Sequence, residues 1–276
     1  MWGCGPAADP PSRAASIEPI VAATTGPRRV VALSPQASGF VVEIGAKHLL
    51  VGIDAASRRL PALAELPVVT WEDAADLEPD LVLVAVAPAA DDPVAERLRA
   101  QGARWVEFAP HSLEDVFDLC RTAGAELVGA AEALRFETKL ARPLALIGGA
   151  SFGQPRPRVL AVVGLDPLEL AGGHSYETDL IEIAGGSSLT HGGSEPRLAV
   201  RPDEITRYGA DLVLVVSPAE MTPAEQRAAR DRLPPGARLE FFPLDREIFW
   251  LRDPTEQAAR LRAVIEPLSR ELAARR

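Results

Sequence analysis

The stretch SLEDVFDLCRTAGAELVGAAEALRFETKLARPLALI, residues 112–147, decides how the rest of the chain is arranged. Ser112 begins it as a capping box: its hydroxyl accepts from the free amide three residues on, while Asp115 reaches back to the cap. Leu113, Val116, Phe117, Cys120 and Ala123 then recur on one face at helical spacing, and Gly124 suits a left-handed stop. After Gly129 the run Ala130 to Ile147 is rich in good helix formers, with a thin apolar stripe through Leu134 and Leu140. A helix with so few apolar positions is not buried all round, and it reads as a bridge between two lobes. Pro143 removes a hydrogen bond and clashes with the turn before it, which predicts a kink or an early end there.

On either side of this stretch the same pattern occurs. Before it, Arg29 to Leu33 reads as a buried parallel strand, and Ser34-Pro35 starts a helix, serine as cap and proline at the first position. Leu49 to Ile53, Leu81 to Val86 and Arg104 to Phe108 are further strands, with a helix over Asp91 to Gln101. After it, Arg158 to Val163 matches the first strand and Asp211 to Val216 matches the run that begins at Asp80. Ser217-Pro218, with Glu220, repeats the cap-and-proline turn. Thr178 to Ala184 is a short helix, Arg238 to Phe242 a strand, and Thr255 to Ala274 a long final helix. Strands alternating with helices at these lengths predict an α/β fold: two Rossmann-like lobes with parallel sheets, joined by a single rigid backbone helix. The predicted boundaries are 1–27 for a tether, 28–124 for the first lobe, 125–150 for the bridging helix and 151–276 for the second lobe.

Composition narrows the function. The 276 residues are 47% hydrophobic and 25% charged, as in an ordinary globular protein, and the net charge of -10 argues against binding a phosphate backbone. No apolar run approaches the roughly 20 residues that span a bilayer. Met1 to Cys4 resembles the end of a bacterial lipobox, with Cys4 as the acylated residue. Gly5 to Pro27, rich in Pro, Ala, Ser and Thr, then serves as a tether; a tail with an incidental cysteine is the plainer alternative. Cys120, on the apolar face of its helix, reads as core, so the two cysteines form no disulfide framework.

Enzymatic constellations are missing from the pattern. There is no dinucleotide turn after a strand, no phosphate loop, no nucleophile elbow and no paired-histidine zinc motif. His48 and His111 read as surface residues, whereas His174 and His191 sit in glycine-rich loops where a ligand has access to backbone. Open α/β sheets bind ligands beyond the carboxyl ends of their strands. That places Ser34, Pro35 and Gln36 on one edge of a cleft, and Gly173, His174, Ser175 and Tyr176 on the facing edge. Trp71 and Trp250 are candidate aromatic walls. Arg58 and Arg59 are candidates for meeting an anionic ligand.

The blocks RVVALSPQASGFVVEIGAKHLLVGID, WEDAADLEPDLVLV, SLEDVFDLCRTAGAELVGAAEA, PRVLAVVGLDPLELAGGHSYETDLIEIAGG and VRPDEITRYGADLVLV, in that order, resemble the substrate-binding proteins of cobalamin, ferric-siderophore and haem ABC importers. The likeness covers about residues 28 to 270, and the fourth block is most similar to the cobalamin branch. The resemblance implies a ligand held between the lobes, small closure motions and no catalysis. It also implies a monomer at the periplasmic or extracellular face of the membrane that delivers its ligand to a dimeric permease. Glu72 and Asp203, or its neighbour Glu204, occupy the positions of the family's permease-docking acids. No resident cofactor is implied; the metal belongs to the ligand. Cobalamin or another corrinoid ranks first. Haem is the alternative, with His174 or Tyr176 as axial ligand, followed by a ferric siderophore against Arg58 and Arg59. A metal-cofactor enzyme or chelatase of similar architecture is the reading from another class.

Overall fold

The computed structural model describes residues 26–245 and 254–275. In the first lobe, strands β1 (Val30–Ala32), β2 (Leu50–Ile53), β3 (Leu81–Val84) and β4 (Arg104–Glu107) form a wholly parallel sheet of order β2-β1-β3-β4. Helix α1 (Pro35–Glu43) starts as its sequence dictates, the Ser34 hydroxyl accepting from the Ala37 amide with Pro35 in the first turn. Helix α2 (Pro93–Ala100) is capped by Asp92, which accepts from the amides of Val94 and Ala95.

The capping box at Ser112 is present and opens α3 (Leu113–Leu119). Gly124, however, is not a stop. Its φ is -62°, and the chain passes through a π turn, Cys120–Gly124, into α4 (Ala125–Val128). The residue lacks a side chain for a packing reason: a Cβ there would lie 2.7 Å from Ile44 Cδ1 and 3.3 Å from Phe40 Cζ. The break falls instead at Gly129, with φ 84°. Helix α5 (Ala130–Gly149) does not end at Pro143 but continues past it. The hydrogen bond that proline removes, a loss of about 3 kcal/mol in an isolated helix, is offset by buried anchors on both sides, Phe136 and Leu144.

The second sheet departs from expectation. Strands β5 (Arg158–Leu165), β6 (Leu168–Ala171), β7 (Ser187–Ser188), β8 (Arg197–Ala199), β9 (Leu212–Ser217) and β10 (Leu239–Pro243) form a mixed sheet of order β10-β9-β5-β6-β8, with β7 beside β5. β6 is antiparallel to both β5 and β8. One short reversed strand, β6, and the three-residue β8 beside it give too little periodicity to be read from sequence. Helices α6 (Tyr176–Ile183), α7 (Pro202–Tyr208), α8 (Pro223–Arg232) and α9 (Pro254–Ala274) complete the lobe. The cap of α8 is Thr222 with Glu225, not Ser217 with Glu220; Ser217 donates instead to the Ala219 carbonyl.

The two halves repeat one detail closely. In the first, the Asp80 carboxylate accepts from the Arg29 amide at 2.9 Å, and the Arg29 side chain donates to the Leu77 carbonyl. In the second, Asp211 accepts from the Arg158 amide at 2.7 Å, and the Arg158 side chain donates to the Tyr208 carbonyl. Left-handed residues, Glu78 and Gly209, stand at corresponding places. The offset between Asp80 and Asp211 also carries Glu72 onto Asp203.

A single apolar cluster runs from Val30 and Leu83 in the first lobe, through Val116, Phe136 and Leu144, to Ile181, Val159 and Ile265 in the second. The bridging helix is therefore part of a continuous core. Arg262 of α9 holds its far end, donating to the carbonyls of Ile147 and Ala150 and to the Ser151 hydroxyl.

Candidate functional site

Where the carboxyl ends of β5, β9 and β10 meet the loop after β2, the lobes enclose a cavity of about 400 Å³. Val163, Val216, Ser217, Pro218 and Leu244 form its second-lobe wall, Arg197 and Asp245 add charge, and Arg59 reaches in from the first lobe. Arg59 pairs with Asp245 across the lobes at 3.7 Å, and Arg197 pairs with Glu169 at 2.9 Å. The cavity thus has apolar walls and an arginine from each side, the balance typical of a small-molecule cleft.

Of the residues singled out in the sequence, Arg58 is exposed beside this cavity but does not line it; its neighbour Arg59 does. Ser34 is buried as a helix cap, and Pro35 and Gln36 are half-buried at the carboxyl end of β1. Trp71 packs on the outer apolar cluster of the first lobe and donates its indole N–H to Asp92 at 3.0 Å. Asp92 is held below its ordinary carboxylate range, first by the Ala95 amide and then by Trp71 and Val94. Trp250 and Cys4 lie outside the described residues. Glu72 and Asp203 are both exposed, Glu204 is half-buried and closes the capping box of α7, and Asp203 is gripped by Arg201 and Arg207.

The Gly173 to Tyr176 segment has a different setting from the one its glycines suggest. A Cβ on Gly172 or Gly173 would fall on the backbone of Glu195 or Gly193, so the close approach glycine permits is filled by the chain itself. Ser175 caps α6. Tyr176 is buried, and its amide donates to the His111 carbonyl at 2.8 Å. His174 is half-buried with Nε2 2.9 Å from Asp115 Oδ2. The Asp179 carboxylate, one turn into α6, accepts from the Leu113 amide at 2.7 Å. These three contacts join the starts of α3 and α6, one helix from each lobe, into a seam beside the cleft. The sequence held part of this signal, the cap at Ser112; Ser175 reads there as a cleft residue ahead of a helix placed at Thr178, not as the cap it is. The sequence did not hold the pairing of the two helix starts, which spans 66 residues between Leu113 and Asp179.

Among the described residues no group of three or more histidine, cysteine and carboxylate side chains is arranged to hold a metal. No helix among them is long and apolar enough to cross a membrane.

Two α/β lobes on one bridging helix, with a cleft between them, define the fold of the substrate-binding proteins of ABC importers. The solved structures similar to this chain include an ABC-transporter substrate-binding protein and periplasmic proteins that bind haem or vitamin B12. A substrate-binding protein from Listeria monocytogenes superposes with a TM-score of 0.68 at 16% identity, over 86% of this chain and 98% of that one. A periplasmic haem-binding protein from Pseudomonas aeruginosa gives 0.66 at 25% identity, over 87% and 93%. The periplasmic vitamin B12-binding protein of Vibrio cholerae gives 0.64 at 16% identity, over 89% and 99%. No protein-family model matches the sequence, and no curated protein sequence matches it.

Proposed function

We propose that this protein is an extracytoplasmic receptor that captures a metal chelate between its lobes and delivers it to an ABC importer permease, without catalysis. The observation that carries this reading is the cleft itself: a partly apolar cavity at strand ends, with an arginine from each lobe, in a fold bridged by one helix that packs one face into the shared core. Cobalamin or another corrinoid is the first-ranked ligand. The B12-binding neighbour matches over 89% of this chain. Tyr176 is buried and His174 is engaged by Asp115, an arrangement that suits a chelate whose metal arrives with its coordination complete. Haem is the second reading, supported by the neighbour at 25% identity and by the half-exposed imidazole of His174.

Tryptophan fluorescence quenching against cyanocobalamin, haemin and a ferric hydroxamate siderophore, run in parallel and corrected for absorbance, tests the proposal. Saturable quenching by cyanocobalamin at micromolar concentration or below is expected. Saturation by haemin, with an absorbance band lost in His174→Ala, replaces corrinoid by haem. Binding of none of the three overturns the receptor reading.

A further inference from the structure

The seam between α3 and α6 joins two helix starts that belong to different lobes, and it does so reciprocally. The second lobe supplies Asp179 to the free Leu113 amide of α3, and the first lobe supplies Asp115 to the His174 imidazole and the His111 carbonyl to the first amide of α6. Asp115 Oδ2 also accepts from the amides of His111 and Ser112, at 2.8 and 3.1 Å. Two carboxylates thus share one crossing, between two helix N-termini whose partial positive charge favours them. The bridging helix α5 backs the crossing with Ala141, Leu144, Ala145 and Gly148, which carry no charge.

We propose that this seam is a proton-responsive junction that sets the angle between the lobes, with Asp179 as the sensing residue. Charged groups reach Asp179 from several elements, and its own helix also carries Glu177, buried in the same first turn. Asp115 and Glu114 face it from α3, with Arg121 beyond them, and Glu182 from its own helix. The loops contribute His174 and His191, and the His111 ring lies 6.4 Å from that of His174. Burial pushes the Asp179 carboxyl up to about 6, and the charge of Asp115 adds to it; the Leu113 amide and the two histidines act the other way without cancelling the effect. An acid raised in the folded seam binds its proton more tightly there than when the seam is open. Closing is therefore favoured as pH falls through about 6 and weakened as pH rises through it. The neutral carboxyl still offers an oxygen to the Leu113 amide, while the repulsion from Asp115 is gone.

The test needs no ligand, so its outcome is independent of what the cleft binds. Spin labels are placed at exposed positions of the two lobes, Glu96→Cys on α2 and Arg227→Cys on α8, in a Cys4→Ser background. The interlobe distance distribution is measured from pH 8 to pH 5. A distribution that narrows on acidification with a midpoint near 6, and that is narrow at both ends in Asp179→Asn, is expected. Asp115→Asn, which keeps Asp179 in place, should move the midpoint to lower pH. A pH-independent distribution in the parent protein, a response that persists in Asp179→Asn, or an unmoved midpoint in Asp115→Asn each overturns the proposal.

Discussion

Replacing Gly124 by alanine should change stability with a sign that depends on one distant methyl group. Gly124 has helical dihedrals, so alanine gains about 1 kcal/mol from propensity alone. Against this, the new Cβ would sit 2.7 Å from Ile44 Cδ1, 3.3 Å from Phe40 Cζ and 3.5 Å from Ala133 Cβ. Only the first is a hard overlap; the last is ordinary contact. Phe40 has little room to retreat, because its ring packs against Phe108 at 5.0 Å and Phe136 at 6.0 Å. Overpacking of this kind costs about 1–3 kcal/mol. The net effect of Gly124→Ala is then a destabilisation of up to about 2 kcal/mol once the propensity gain of about 1 kcal/mol is subtracted. Ile44→Val alone removes a buried methyl, at a cost of about 0.5–1.5 kcal/mol. That methyl is the overlapping atom, so in the Ile44→Val background the overlap disappears while the propensity gain remains. There Gly124→Ala should be less costly than in the parent, and at most stabilising by about 1 kcal/mol, because the 3.3 Å approach to Phe40 remains. Urea denaturation of the four proteins of the double-mutant cycle measures this. If the two changes add to within about 0.5 kcal/mol, the packing account of Gly124 is wrong.

Arg262→Ala leaves three acceptors at the end of the bridging helix without their donor, and urea melts should show a loss of about 1–3 kcal/mol; no loss would mean that water caps the helix equally well. Cys120 is fully buried, and burial, aided by the charge of Glu137, pushes its thiol up to about 12. At pH 8 only roughly one molecule in 10⁴ would carry the thiolate, so a Cys4→Ser variant should resist a disulfide reagent until denatured, and rapid native labelling would contradict the burial. As a test of docking, Glu72→Arg with Asp203→Arg should leave ligand affinity nearly unchanged and abolish transport in vesicles reconstituted with the permease. Lost affinity would remove both residues from the docking role.

The parts of the fold legible in the sequence were those that follow local rules. Ser34-Pro35 and Ser112 with Asp115 announce helix starts because capping is settled within four residues. β1, β3, β5 and β9 are legible because strands buried on both faces are continuous apolar runs. The misread features depend on partners far along the chain. Gly124 is a stop by local rules and a packing site once Ile44 is beside it. Gly172 and Gly173 invite a ligand until the segment at Gly193 and Glu195 is seen lying across them. Arg58 and Arg59 are equivalent as letters, and only the position of Asp245 separates them.

The repeated lock of Arg29 with Asp80, and of Arg158 with Asp211, bears on how the chain folds. Each lock joins residues about 50 apart, and loop-closure entropy rises only as the logarithm of length. The two halves thus face nearly the same entropic barrier to joining the strands that carry these locks, β1 with β3 in one and β5 with β9 in the other. Refolding from denaturant should show both sheets gaining protection from hydrogen exchange over the same interval, with the seam at Asp179 following once each sheet is in place to present its helix.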